Sequence, residues 1–162
     1  MNFRIYNIYG PCKNRLEFWE KFLGSEQFLA DHLILGGDLN FSIGHAESWG
    51  NKAQRDSLSD YFSSILDTHQ LIDICSTKLQ ATWGNNRIGE HDLACRLDRL
   101  LVKEKVRELG LHIKQWVGSR GIFDHLPIYI DIVGGRKKPR GPFKFCFAWL
   151  REDSYISMVT EY

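Results

Sequence analysis

No apolar run in the sequence approaches the roughly 18 residues needed to span a bilayer, and Met1-Asn2-Phe3-Arg4 lacks the pattern of a secretory signal. No membrane partner is expected, and an intracellular location is. Cysteine is sparse and scattered: Cys12, Cys75, Cys95 and Cys146 form no CxxC and no paired Cys/His spacing. Neither a disulfide framework nor a zinc site follows, and four reduced, mostly buried thiols are the expectation. An excess of one charge is also missing, since the net charge is +1. Residues 1–133 carry 15 basic and 17 acidic side chains, whereas 134–162 carry 6 and 3. A slightly acidic body is not the clustered Lys/Arg footprint of a strong nucleic-acid binder, although local patches could still serve. No internal repeat or low-complexity tract is present, and no feature sets an oligomeric state.

What is present is ordinary globular material. With 162 residues, 43% hydrophobic and 25% charged, the chain can bury one substantial core. The ten Phe, six Tyr and five Trp suit either a packed α/β or α+β core or an aromatic-lined groove.

Phe3 to Tyr9 (FRIYNIY) is rich in aromatic and β-branched residues and ends at Gly10-Pro11, so a strand is predicted there. A strand apolar on both faces wants partners on both sides. From Asn14 the pattern turns helical, with Asn14 and Glu17 resembling a capping box and Leu16, Trp19 and Leu23 forming an apolar stripe beside Phe18 and Phe22. Leu33-Ile34-Leu35 then runs into Gly36-Gly37-Asp38-Leu39-Asn40, a strand ended by glycines. Strand, helix, strand favours parallel pairing through a crossover. Residues 41–56 read as a loop, and Leu58 to His69 as a second helix with Asp56 or Ser57 as its N-cap. Leu71 to Ile74, Ala81 to Asn86, Arg96 to Val102, Leu111 to Val117 and Leu126 to Val133 are further apolar or strand segments. In the last, Leu126, Ile128, Ile130 and Ile132 share one face. Gly134 to Pro142 is a glycine, proline and basic linker, and residues 143–162 follow a boundary there. The basic run Arg136 to Arg140 could act as a nuclear-import signal, but a solvated linker is the simpler account.

Polar residues gather at the ends of these strands: Asp38 and Asn40, Thr82-Trp83, Asp98, and Asp124-His125. If the chain stays extended to Asn40, Asp38 and Asn40 project from one side; the plainer alternative is an Asx-type turn. Asp98 lies inside an apolar strand, where a charge is costly unless paired, and His125 is an available partner. In an α/β fold such strand ends converge on one rim. The set suits phosphodiester hydrolysis, with a carboxylate orienting water, a metal and an imidazole neutralising phosphate charge, and an amide meeting an oxyanion.

Five motifs occur in order: Asn7-Ile8-Tyr9-Gly10-Pro11, Gly36-Gly37-Asp38-Leu39-Asn40, Ala81-Thr82-Trp83 with Asn85-Asn86, Arg96-Leu97-Asp98-Arg99, and Asp124-His125-Leu126-Pro127. Through them the sequence resembles the C-terminal half of an endonuclease/exonuclease/phosphatase domain. The resemblance is to the apurinic-endonuclease-like kind found in LINE-type (non-LTR) retrotransposons, especially those of plants. Pro142-Phe143-Lys144-Phe145 with Ala148-Trp149-Leu150 is similar to the segment leading to reverse transcriptase in those elements. The resemblance implies an α/β fold, a partial four-layer sandwich of the DNase I-like type with the N-terminal half missing. It implies DNA as partner, Mg²⁺ and no small-molecule cofactor. Asp38 would orient the attacking water or take its proton, Asn40 would stabilise the transition state, and Tyr9 would sit near a phosphate oxygen. Asp98 would orient His125, which would contact the scissile phosphate. Asp124 would lie by the metal, and Thr82 and Trp83 would line the nucleic-acid face.

The family places an Asn and a metal-binding Glu on strands preceding those found here, and Phe123 stands where it has Ser before Asp-His. Loss of such groups typically costs about 10²- to 10⁴-fold in rate, so little or no activity is expected from this chain alone. The alternatives are a non-catalytic relic that binds nucleic acid or protein weakly, and a phosphodiesterase of the same superfamily with a substrate other than nucleic acid.

Overall fold

The computed structural model describes residues 2–119, 121 and 123–134. Nearly all of the predicted linker, including Arg136 to Arg140, and the whole of 143–162 lie outside them. In chain order the strands are β1 (Arg4–Asn7), β2 (Leu33–Asp38), β3 (Ser48–Trp49), β4 (Leu71–Asp73), β5 (Trp83–Gly84), β6 (Ala94–Cys95), β7 (Asp98–Lys103), β8 (His112–Val117) and β9 (Ile128–Val133). The helices are α1 (Arg15–Leu23), α2 (Ser59–Thr68) and α3 (Glu104–Glu108).

The central sheet has the order β1-β2-β7-β4. β1 and β2 are parallel, joined through α1 as the strand-helix-strand pattern requires. β7 runs antiparallel to both β2 and β4. Residues along a strand alternate between faces, and β2 shows why its apolar run is continuous. Leu33 and Leu35 join Trp19, Phe28, Phe41, Phe62, Ile65 and Leu101 in one core, while Ile34 packs with Leu100, Val102 and Val106 in another. Aromatics fill the first core: Phe41 stacks on Phe62 with ring centroids 3.8 Å apart, and Trp19 meets both edge-on. Tyr6, Phe18, Phe22 and Tyr61 pack against this core, so many of the described aromatics serve packing.

Several local expectations are corrected. Asn14 takes a left-handed conformation (φ 53°) and makes no side-chain cap bond, so no capping box forms at α1. The N-cap of α2 is Leu58, not Asp56 or Ser57, and no side chain caps the helix; the Asp56 carboxylate accepts the Leu58 N–H at 2.9 Å just before it and is gripped by Arg15 at 2.6 and 2.8 Å. The 41–56 segment contains a 3₁₀ turn (His45–Glu47) and β3, which pairs with β6. β1 is an edge strand paired only with β2 among the described residues, and Ile5 is exposed. Cys12 and Cys75 are exposed and Cys95 is half-buried, contrary to four mostly buried thiols; Cys146 lies outside the described residues. Among the described residues no helix is long and apolar enough to cross a membrane.

The β8–β9 hairpin lies against the second face of the central sheet. Ile128, Ile130 and Ile132 share a face as predicted, but they line an open groove of about 260 Å³ with Ile5, Ile34 and Leu100 rather than a closed core. On β8, Gln115 is buried with no hydrogen-bond partner for either amide atom among the described residues. Burying such a group unpaired costs about 1–3 kcal/mol. Gln115→Leu is therefore expected to raise stability, read as a higher urea midpoint with unchanged m value. An unchanged midpoint would show that the amide is solvated.

Candidate active site

Three strand ends meet at one rim of the central sheet. Asp38 closes β2, Asp98 opens β7, and the antiparallel register sets the two residues opposite each other. His125 arrives from the segment before β9, held to β5 by a bridge with Trp83. Its Nδ1 lies 2.9 Å from Asp98 Oδ2, and its Nε2 lies 3.7 Å from Asp38 Oδ2. The first is a hydrogen bond; the second is too long for one. One ligand atom from each of Asp38, Asp98 and His125 lies within 4.8 Å of the others. Both carboxylates are largely buried, while the imidazole is about one-third exposed. The charge that β7 carries in its apolar run is thus paired.

The strand stops at Asp38, so Asn40 does not extend it; it adopts φ 53°, a left-handed conformation that Asn tolerates. Its side chain nevertheless returns to the site. The Asn40 amide donates to Asp38 Oδ2 (3.1 Å) and to the Gly10 carbonyl, and its backbone N–H donates to Asp38 Oδ1 (3.0 Å). Asn40 thereby braces Asp38, with both side-chain donors committed. Two glycines permit this. A Cβ at Gly37 (φ 127°) would meet the Ile8 carbonyl oxygen at 2.2 Å, and one at Gly10 would meet that of Leu39 at 2.4 Å. Only bare backbone lets the end of β1 approach β2 this closely. Tyr9 stands beside this junction and is 75% exposed.

The remaining candidates are placed differently from expectation. Asp124 is outside the cluster, and its carboxylate accepts the Trp83 indole N–H at 3.0 Å. That hydrogen bond holds Asp124 below the usual carboxylate range. Thr82 is 0% exposed and so cannot line a nucleic-acid face directly; its hydroxyl faces the backbone of Leu97 and Asp98. Phe123, next to Asp124, is 70% exposed.

Behind the rim lies a buried network. Arg96 donates to Asp73 at 2.6 and 2.7 Å and to Glu47 at 2.8 Å. Arg99, fully enclosed, donates to Asp73 at 2.5 Å and also pairs with Glu47. Glu47 Oε2 additionally accepts the Ile43 N–H at 2.7 Å, so the network ties the segment after Asn40 to the strand bearing Asp98. Arg96 and Arg99 stand in the motif that carries Asp98, but neither they nor Glu47 and Asp73 are among the predicted site residues. Their signal was two arginines inside the apolar run Arg96 to Val102, which demand buried carboxylates.

Asp38 is pushed above its ordinary value by burial, against the Asn40 hydrogen bonds and with the Asp98 charge adding to the rise. A raised carboxylate beside an imidazole is suited to accept a proton. Mg²⁺ takes oxygen ligands and commonly combines one or two carboxylates with several waters. Asp38 and Asp98 form such a pair, and their mutual repulsion is the charge excess a cation would relieve.

The fold is that of a DNase I-like domain. The endonuclease domain of TRAS1, a telomere-specific non-LTR retrotransposon, superposes with a TM-score of 0.58 at 20% identity, over 77% of this chain and 53% of that one. The 3'-5' exonuclease NExo from Neisseria meningitidis gives 0.57 at 19%, over 81% and 61%. A variant of the 3' phosphatase NExo from Neisseria, bound to product DNA hairpin, gives 0.57 at 19%, over 80% and 61%. The chain thus spans between about half and three-fifths of the structures it matches. No family model and no curated protein sequence matches it.

Proposed function

We propose that the chain carries the hydrolytic rim of a nucleic-acid phosphodiesterase, an endonuclease of LINE-type retrotransposon origin, especially the plant kind, working with Mg²⁺ on DNA inside the cell. The observation that carries this reading is the meeting of Asp38, Asp98 and His125 from three distant segments. The ordered motifs and the likeness to the TRAS1 endonuclease fold support the retroelement origin. Asp38 accepts the proton of a water whose oxygen attacks phosphorus, and the bond from phosphorus to the leaving oxygen breaks. Asn40 fixes the Asp38 carboxylate for that task. Asp98 holds the imidazole by Nδ1, leaving Nε2 toward Asp38 and the space a phosphate oxygen would enter. Mg²⁺, held by Asp38 and Asp98, would supply neutralisation of phosphate charge. Asp124 acts through Trp83, which it holds beside His125.

Nicking of supercoiled plasmid in Mg²⁺ tests this. The wild type is expected to nick slowly, and Asp38→Ala to reduce the rate to background. Nicking that survives the substitution ends the assignment.

A further inference from the structure

Thr82 supplies no reacting group, yet its hydrogen bonds join the segments that do. Its Oγ1 accepts the N–H of Leu97 at 3.0 Å and of Asp98 at 2.9 Å. Its carbonyl accepts the Leu126 N–H at 2.6 Å, and its own N–H donates to the Cys95 carbonyl at 3.0 Å. The side chain is wholly enclosed, so water cannot replace any of these partners.

We propose that Thr82 is the positioning residue of the site, its buried hydroxyl setting where Asp98 meets His125. This rests on the hydrolase reading for its catalytic consequence but not for its geometry. A hydroxyl oxygen has two lone pairs, and here both are spent on successive N–H groups at the start of β7. The Leu97 carbonyl on the opposite side accepts the Leu39 N–H at 3.0 Å. Leu97-Asp98 is thereby held between the segment that follows Asp38 and the segment that precedes Trp83. From the other side, the Thr82 carbonyl fixes Leu126, the residue after His125. One residue therefore controls both ends of the 2.9 Å Asp98–His125 hydrogen bond. Without the hydroxyl, two adjacent buried N–H groups must find other acceptors, and the strand end that bears Asp98 moves. A displacement near 1 Å is enough to cost about 10²-fold in rate.

Two variants separate this from simple core packing. Thr82→Val keeps the volume and removes the acceptor; Thr82→Ser keeps the acceptor and removes a methyl. The readout is the imidazole ¹⁵N pattern of His125 in the full chain, which reports whether Nδ1 carries the proton donated to Asp98. Nδ1–H is expected in the wild type and in Thr82→Ser, and its loss to a mixture of tautomers in folded Thr82→Val. An unchanged pattern in Thr82→Val, or an equal loss in Thr82→Ser, overturns the proposal. If Thr82→Val does not fold, amide exchange in the unsubstituted chain decides. Protection of Leu97 and Asp98 by at least about tenfold over exposed amides supports it, and free exchange of both overturns it. Plasmid nicking that survives Asp38→Ala, with the His125 signature intact, would sink the hydrolase reading and leave the positioning role standing.

Discussion

Glu47→Ala is expected to destabilise the chain by about 3–5 kcal/mol, because it leaves Arg99 and Arg96 short of a carboxylate where water cannot reach. That is a large part of the roughly 5–15 kcal/mol that holds a domain together, so the variant should unfold at much lower urea. Removing the cation as well, in Glu47→Leu with Arg99→Leu, should recover part of the loss, since an apolar replacement for a buried pair is often neutral. A loss below about 1 kcal/mol, the range of exposed pairs, would show the network to be hydrated. The pH dependence has a definite sign. Burial alone would raise Glu47, but the hydrogen bond and charge of Arg99, with the Ile43 N–H and Arg96, hold it below its ordinary 4.5. A depressed carboxylate contributes stability above its unfolded value and loses it as pH falls through the folded one. The gap between wild type and Glu47→Gln should therefore narrow on acidification below about 4.5.

Asp38→Asn is expected to move activity and stability in opposite directions. Without a carboxylate to accept the proton of water, hydrolysis should fall by about 10²- to 10⁴-fold. The same change should raise the thermal midpoint at neutral pH. Burial makes the Asp38 carboxyl bind its proton more tightly in the folded than in the unfolded chain, so its ionised form costs folded stability above the ordinary value of 3.8. As pH falls through the raised value the cost disappears, and the advantage of the variant should vanish with it. Melting curves at pH 7 and pH 3.5 check this. A midpoint lowered equally at both would mean that the Asn40 bonds to the carboxylate outweigh its desolvation.

Much of the fold could be read from pattern. The period of Leu16, Trp19 and Leu23, and of Leu58 to His69, marked both longer helices, and the continuous apolar run at Leu33 to Leu35 marked a strand buried on two faces. β5 and β6 were harder, since two-residue strands carry no periodicity and are defined by partners distant in sequence. α3 begins as soon as β7 ends, without a glycine or proline to announce it. At the site, Asp38, Asp98 and His125 were legible because charged residues stood where apolar strands should continue or begin. The resemblance puts Asp124 by the metal and Thr82 on the nucleic-acid face, and only side-chain geometry shows one turned to Trp83 and the other enclosed.

By itself the sequence determined which residues are chemically equipped for hydrolysis and the order in which they occur, because residue type and local periodicity are properties of short segments. It also placed glycines at the strand ends, Gly10 after the first and Gly36-Gly37 in the second. The tertiary structure alone decided that Asp38 stands opposite Asp98, that His125 completes the cluster, and that Glu47 and Asp73 neutralise the two arginines behind it. Those are long-range pairings, fixed by β register and by the cost of leaving charge unpaired in a core. No local pattern encodes either.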